Sequence, residues 1–307
     1  MSANNTQAAK LVLDIRAELG EGPIWDARTN ALLWVDIEGR RVCRFDPAAN
    51  GGRGENREWP VGSMPGTVAP TERGDLLVAL NEGVARFDMA DGRVEMLCAP
   101  DGFDPSVTRF NDGKCDPRGR FVAGTTSLQG KRGASALYVV EATGANGSAP
   151  VMRQILGGVS ISNGLAWSAD GRSFYYIDTP TREVAVFDYD LDRGELGARR
   201  VAFRVPDALG YPDGMTIDAE GMLWVCLWGG AAVTRWNPAN GELLAKHEVP
   251  ALHVTSCAFG GPDLATLYIT TARVDTAADV LAKYPQRGGI FSLQPGVRGG
   301  RAFEFSG

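Results

Sequence analysis

The chain has 307 residues, 44% of them hydrophobic and 22% charged, with a formal net charge of -6. That balance argues against a polyanion-binding surface, since nucleic-acid modules usually show a basic face, and no stretch approaches the ~20 apolar residues of a bilayer span. The 39 glycines and 17 prolines suit an all-β chain with many tight turns.

The polar start MSANNTQAAK lacks the apolar core of a signal peptide, so residues 1–10 are expected to form a flexible tail and the protein to work in the cytoplasm. The five cysteines (Cys43, Cys98, Cys115, Cys226, Cys257) are odd in number, scattered and mostly inside strand-like segments, where a free thiol behaves as a small buried hydrophobe. From residue 22 onward a unit recurs six times: a short apolar segment, an Asp/Gly turn, then an aromatic or β-branched run. The units read GPIWDARTNALLWV, GTVAPTERGDLLVAL, DGKCDPRGRFVAGT, GLAWSADGRSFYYI, GMTIDAEGMLWVCL and CAFGGPDLATLYIT. Their turns fall near residues 28, 73, 118, 170, 220 and 263. Repeats of about 40–50 residues built from short strands are the mark of a β-propeller with four strands per blade.

Second strands follow at Val42–Phe45, Val184–Phe187 and Val233–Trp236, each ended by an Asp/Asn-containing turn. Thr276–Tyr284 reads as one short helical insert stopped by Pro285. The expected fold is all-β, a six-bladed β-propeller occupying residues 11–307 as one domain. Leu11–Ile15 is expected to pair with the last blade, because a ring must hide its edges.

Aligning the units on the turn and the following strand places Glu21, Asn111, Asn163 and Asp213 in one slot, with Pro65 and Ser256 or their neighbours in the other two. Equivalent slots of a rotating repeat meet at the axis. Two carboxylates and two carboxamides converging there make a site for one hard divalent cation, Ca²⁺, Mg²⁺ or Mn²⁺, and such a site can also hold Zn²⁺. The competing reading is that Asx-Gly pairs form turns and nothing more. Asp26, Asp116, Asp170 and Asp218 sit in the turns themselves and are read as turn formers. His247 and His253 lie between blades five and six, away from the slot. No G-x-S-x-G, P-loop or G-x-G-x-x-G is present, so metal-assisted attack by water is the natural enzyme class, with Asp213 suited to activate the water.

The segments LGEGPIW (19–25), RFNDGK (109–114), SNGLAW (162–167) and YPDGM (211–215) resemble the SMP-30/gluconolactonase/LRE family, the regucalcin family of sugar lactonases. IDAEGMLW (217–224), TSCAFGG (255–261) and GGIF (288–291) extend the resemblance over nearly the whole chain. It implies a six-bladed propeller with one catalytic divalent cation, opening aldonolactones to aldonic acids. Glu21, Asn163 and Asp213 would be the metal ligands, Asp213 also the general base. Arg109 would bind the sugar hydroxyls or lactone oxygen, and Asn111 would line the site and hold substrate or a metal-bound water. Some lactonases of the family carry an acidic residue in the loop after Ala-Gly-Thr; here that slot holds Gln129, which can still hydrogen-bond a sugar hydroxyl without charge. The partner expected is a small sugar lactone, with no nucleic acid or membrane, and the chain is expected as a monomer or weak homo-oligomer. Two other readings share the ligand set: an organophosphate triesterase of diisopropylfluorophosphatase type, and a non-enzymatic Ca²⁺-binding regulator. Trp228 is read either as a pocket wall or as core.

Overall fold

The computed structural model describes residues 8–141, 150–274 and 276–307. Six four-stranded antiparallel sheets follow one another along the chain. Blade one runs Gly20–Asp26, Ala31–Asp36, Arg41–Asp46 and Glu55–Pro60, and blade two Thr67–Pro70, Leu76–Leu80, Gly83–Phe87 and Val94–Cys98. Blade three uses Thr108–Cys115, Phe121–Ser127, Ser135–Glu141 and Val151–Val159. Blade four uses Ser162–Trp167, Ser173–Asp178, Glu183–Asp190 and Glu195–Arg204. Blade five is Tyr211–Ile217, Leu223–Trp228, Ala232–Asn237 and Glu242–Glu248. Blade six is His253–Gly260, Thr266–Ala272 and Ile290–Leu293, completed by the N-terminal strand Lys10–Leu13.

The ring closes as expected. Each innermost strand touches the innermost strand of the next blade, and that of blade six touches that of blade one. The closing strand pairs Lys10 with Ser292 and Leu11 with Phe291, slightly earlier than the expected Leu11–Ile15. Of the tail expected at residues 1–10, residues 1–7 lie outside the described residues, while Ala9 is buried and its N–H donates to Glu248 O at 3.0 Å. The insert is a helix over Ala278–Lys283, inside the expected Thr276–Tyr284.

Each blade is buried on both faces, which is why its central strands read as near-continuous apolar runs. Six clusters form the core, one between each pair of neighbouring blades. Trp224 and Val233 of blade five meet Phe259, Ile269 and Phe291 of blade six, for instance, and Phe110 and Phe121 of blade three meet Ala69, Leu77 and Val84 of blade two. Burying one such side chain fully is worth about 1.5–3 kcal/mol. The cysteines behave as small hydrophobes: all five are free and all but the half-buried Cys98 are buried, with burial pushing the Cys98 thiol up to about 11.

The turn aspartates act as read. Asp116 Oδ1 accepts the N–H of Arg118 and of Arg120 at 2.9 Å, and Asp218 Oδ1 accepts those of Glu220 and Met222 at 3.0 Å. Their second oxygens tie blades and strands together: Asp116 Oδ2 takes Arg120 Nε at 2.8 Å and the Tyr189 hydroxyl of the next blade at 2.7 Å.

The C-terminal segment crosses the mouth of the channel on the side of these turns. Ala219 N donates to Arg298 O at 2.8 Å, Phe305 N to Pro70 O at 2.9 Å and Ser306 N to Gly119 O at 3.0 Å, so the segment spans several blades. Phe305 is fully buried among blade-two and blade-three residues. A cavity of about 210 Å³, lined by Trp25, Trp167, Lys114 and Phe303 among others, lies beneath it. Among the described residues no helix is long and apolar enough to cross a membrane.

Candidate active site

The expected slot is a β-bulge. In blades one, three, four, five and six the ladder between the first two strands skips register at Glu21/Ile24, Phe110/Gly113, Asn163/Leu165, Pro212/Met215 and Val254/Cys257. Blade two, with Pro65 in the slot, has an unbroken ladder from Thr67 to Pro70. A bulge re-aims one side chain out of the pleat, and here it faces the axis. Asn163 and Asp213 therefore sit inside strands, and the simple turn reading of Asx-Gly pairs does not describe them. The glycines that follow have a different purpose, because neighbouring strands crowd at the axis. A Cβ on Gly214 would stand 2.1 Å from Ser256 Oγ, and Gly22, with φ +53°, would bring one to 2.9 Å from Thr67 Oγ1.

Glu21, Arg109, Asn111, Asn163 and Asp213 line one cavity of about 540 Å³ at the other mouth. Glu21, Asn111, Asn163 and Asp213 are each more than nine-tenths buried. A chain of hydrogen bonds sets the amides. Arg109 Nη1 donates to Phe110 O at 2.9 Å and to Asn111 Oδ1 at 2.7 Å. Asn111 Nδ2 donates to Asn163 Oδ1 at 2.8 Å and to Ser162 O at 2.7 Å. Asn163 Nδ2 donates to Thr179 Oγ1 at 2.8 Å, and that hydroxyl donates to Pro212 O at 2.8 Å. Thr179 thus fixes the orientation of the Asn163 amide, and each carbonyl oxygen accepts one hydrogen bond, that of Asn163 from Asn111 and that of Asn111 from Arg109.

The carboxylates carry the electrostatic strain. Burial, reinforced by the charge of Asp112, pushes Glu21 up to about 8. Burial, then the charges of Glu21 and Asp112, raise Asp213 well above the usual carboxylate range. Burial also lowers Arg109. Burial of two acids on one cavity, with the charge of Glu21 acting on Asp213, favours a positive charge beside them. Glu21, Asn163 Oδ1 and Asp213 present hard oxygen donors, the chemistry of a Ca²⁺, Mg²⁺ or Mn²⁺ site, and Asn111 stands beside them. The set depends on its carboxamides: among the described residues no three or more His, Cys, Asp or Glu form a metal-holding group.

Gln129 is not brought to the others. It lies exposed in the turn after Ser127, its N–H donating to Ser127 Oγ at 3.2 Å, and it does not line the cavity. His247 and His253 are buried against Trp224 and Trp228 respectively and lie off the cavity wall, while Trp228 itself lines it.

Several residues had no signal in the repeat register. Asp112 is buried beside Asn111, accepts Gly113 N at 2.7 Å, and has no hydrogen-bond partner for Oδ2 among the described residues. Lys114 donates to Leu165 O at 3.2 Å and to Met215 O, across two other blades. Glu18 and Glu38 line the rim of the cavity.

Residues 19–273 match the family described as the SMP-30/gluconolactonase/LRE-like region. The chain belongs to this family. Among its relatives, YvrE of Bacillus subtilis, named for sugar lactone lactonase activity, is 38% identical over 299 residues, covering 97% of this chain and 99% of that protein. Regucalcin of Gallus gallus is 37% identical over 300 residues, covering 95% and 96% of the two chains. Among solved structures, a regucalcin of Agrobacterium tumefaciens described as a calcium-binding protein superposes with a TM-score of 0.89 at 27% identity, covering 97% of each chain. Family and relatives together point to a lactone hydrolase of the gluconolactonase/regucalcin type.

Proposed function

We propose that this propeller is a metal-dependent aldonolactonase, opening gluconolactone-type sugar lactones to aldonic acids. The observation that carries the reading is the convergence of Glu21, Asn163 and Asp213 with Arg109 and Asn111 on one cavity, in a chain whose relatives include a named sugar lactone lactonase. Glu21, Asn163 and Asp213 would hold one divalent cation, and Asn111 and Arg109 would face the substrate. When bound, the cation supplies Lewis acidity for the lactone carbonyl.

The chain's own residues account for the remaining chemistry. Asp213 accepts a proton from the attacking water as its oxygen bonds to the carbonyl carbon. The ring C–O bond then breaks, and the same carboxyl returns the proton to the departing ring oxygen, leaving a hydroxyl and a carboxylic acid. Arg109 spends Nη1 on Phe110 and Asn111, and its Nη2 and Nε have no protein partner among the described residues; they would bind sugar hydroxyls. Thr179 keeps Asn163 in the orientation that presents its oxygen. Gln129, exposed outside the cavity, would reach a substrate only if the turn moved.

The test is proton release from a panel of aldonolactones by chelator-treated protein, with Ca²⁺, Mg²⁺, Mn²⁺ and Zn²⁺ restored singly and spontaneous hydrolysis subtracted. Turnover that returns with a cation is the expected result. Absence of cation-dependent turnover with every lactone, or turnover of organophosphate triesters alone, would refute the reading.

A further inference from the structure

The rim of the cavity carries two carboxylates that the proposed chemistry does not use, Glu18 and Glu38. Both leave blade one beside a single buried anchor, Asp36. Its carboxylate accepts Glu18 N at 3.2 Å, Leu19 N at 3.0 Å, Gly39 N at 3.0 Å and Arg41 Nη2 at 2.8 Å. Gly39 packs so closely on it that a Cβ would stand 2.4 Å from Oδ2. The turn is closed further by Arg40 N donating to Ile37 O at 3.2 Å. Glu38 therefore projects from a backbone that is held in place, which is how a selective contact is built.

The two carboxylates differ in their surroundings. Glu18 is ion-paired to Arg273 at 3.3 Å. Glu38 is exposed and has no ion pair of 4.0 Å or less among the described residues. It shares the cavity wall with Arg109, and its charge, like those of Glu21 and Asp213, favours the charged guanidinium against the effect of burial. An acceptor-only group and a donor-only group thus face one cavity without meeting. A hydroxyl can satisfy both at once; a carboxylate or phosphate, which only accepts, satisfies Arg109 and is repelled by Glu38.

We propose that Glu38 is a specificity-determining residue of this pocket, acting with Arg109 to select a ring hydroxyl, which donates to the carboxylate and accepts from the guanidinium, over an anionic group or no group at that place. This rests on the lactonase reading for its substrate. It places the acidic contact on blade one, whereas Gln129 of blade three is exposed and does not line the cavity.

The test separates the two claims by using ligands that cannot react. Anhydroglucitol, a sugar ring without the lactone carbonyl, and its phosphate monoester are titrated by saturation-transfer NMR into wild-type, Glu38→Gln and Glu38→Lys proteins, each supplied with the cation that best supports turnover or, failing any, with Ca²⁺. The wild type should favour the neutral ring by about 10-fold or more, Glu38→Gln should narrow the ratio, and Glu38→Lys should invert it. Ratios unchanged by either variant, a wild-type preference for the phosphate, or no binding of the neutral ring overturn the inference. Lactone turnover on the same preparations reads the other claim. Ring selection without turnover sinks the lactonase and keeps Glu38; turnover with unaltered selection does the reverse.

Discussion

Stripping divalent cations should make the stability of this protein fall as pH rises from about 5 to 8, the reverse of the usual carboxylate behaviour. Glu21 is raised from 4.5 to about 8 when no cation is present, mainly because it is buried. Between those values the folded chain keeps a proton that the unfolded chain has lost. The stability is therefore fully present below about pH 4.5 and declines as pH climbs through the window. The gap from 4.5 to about 8 sets a ceiling of about 5 kcal/mol at pH 8 and above. For a chain of this size that corresponds to a melting temperature lower by on the order of 10 °C. A cation that binds the ionised pair should remove the loss and add to it by mass action. The assay is thermal unfolding followed by tryptophan fluorescence at pH 5, 6, 7 and 8, in chelator and in excess Ca²⁺. Glu21→Gln serves as the reference that lacks this one titrating group and should reduce the slope of the chelated profile, the remainder coming from Asp213. A chelated wild type as stable at pH 8 as at pH 5 relative to Glu21→Gln, or no recovery with any of Ca²⁺, Mg²⁺, Mn²⁺ or Zn²⁺, would refute the reasoning.

Further outcomes are expected from single substitutions. Asp213→Asn should lower kcat by about 10²–10⁴-fold while raising the stability of the chelated protein at pH 8, and an active, destabilised variant would contradict both roles. Thr179→Val should weaken cation binding by about 10–100-fold in a competition titration with a chromophoric chelator, because Asn163 loses the partner that orients it. Arg109→Lys should raise KM for the lactone by about 10-fold or more, since a single ammonium cannot hold Asn111 and Phe110 and still serve the ligand; cation affinity should change far less. Phe305→Ala should cost about 3–5 kcal/mol in chemical denaturation, and cation affinity at the opposite mouth should be unaffected.

The propeller was legible because its repeat is written in local chemistry. An Asp turn, a strand run and a second strand recur in register, and the aspartates Asp116 and Asp218 hold their turns as read. The convergence of Glu21, Asn111, Asn163 and Asp213 on one cavity was legible for the same reason: one slot, repeated by rotation, must meet itself at the axis. Their setting in bulges was not, because a register skip shows only when two strands are paired. Contacts between blades leave no trace in a repeat. Thr179 reaching Pro212, Lys114 reaching Leu165 and Met215, and the C-terminal segment crossing to Gly119 belong to this class. Glu38 was hidden because its turn looks like any hairpin turn until Asp36 is seen gathering Glu18, Leu19, Gly39 and Arg41. Gln129 shows the opposite case. Its position after Thr125–Ser127 points to the cavity, but the turn at Ser127 and Gly130 carries it to the surface.

The most direct test of the central claim is to measure lactone turnover against the number of cations bound per chain. Chelated protein is titrated with each cation while occupancy and proton release are read on the same sample, for the wild type and for Asp213→Asn. Activity that rises in step with one tightly bound ion per chain, with both weakened in the variant, is the predicted result. Full turnover by cation-free protein, or one ion bound equally tightly by both proteins, would contradict the account.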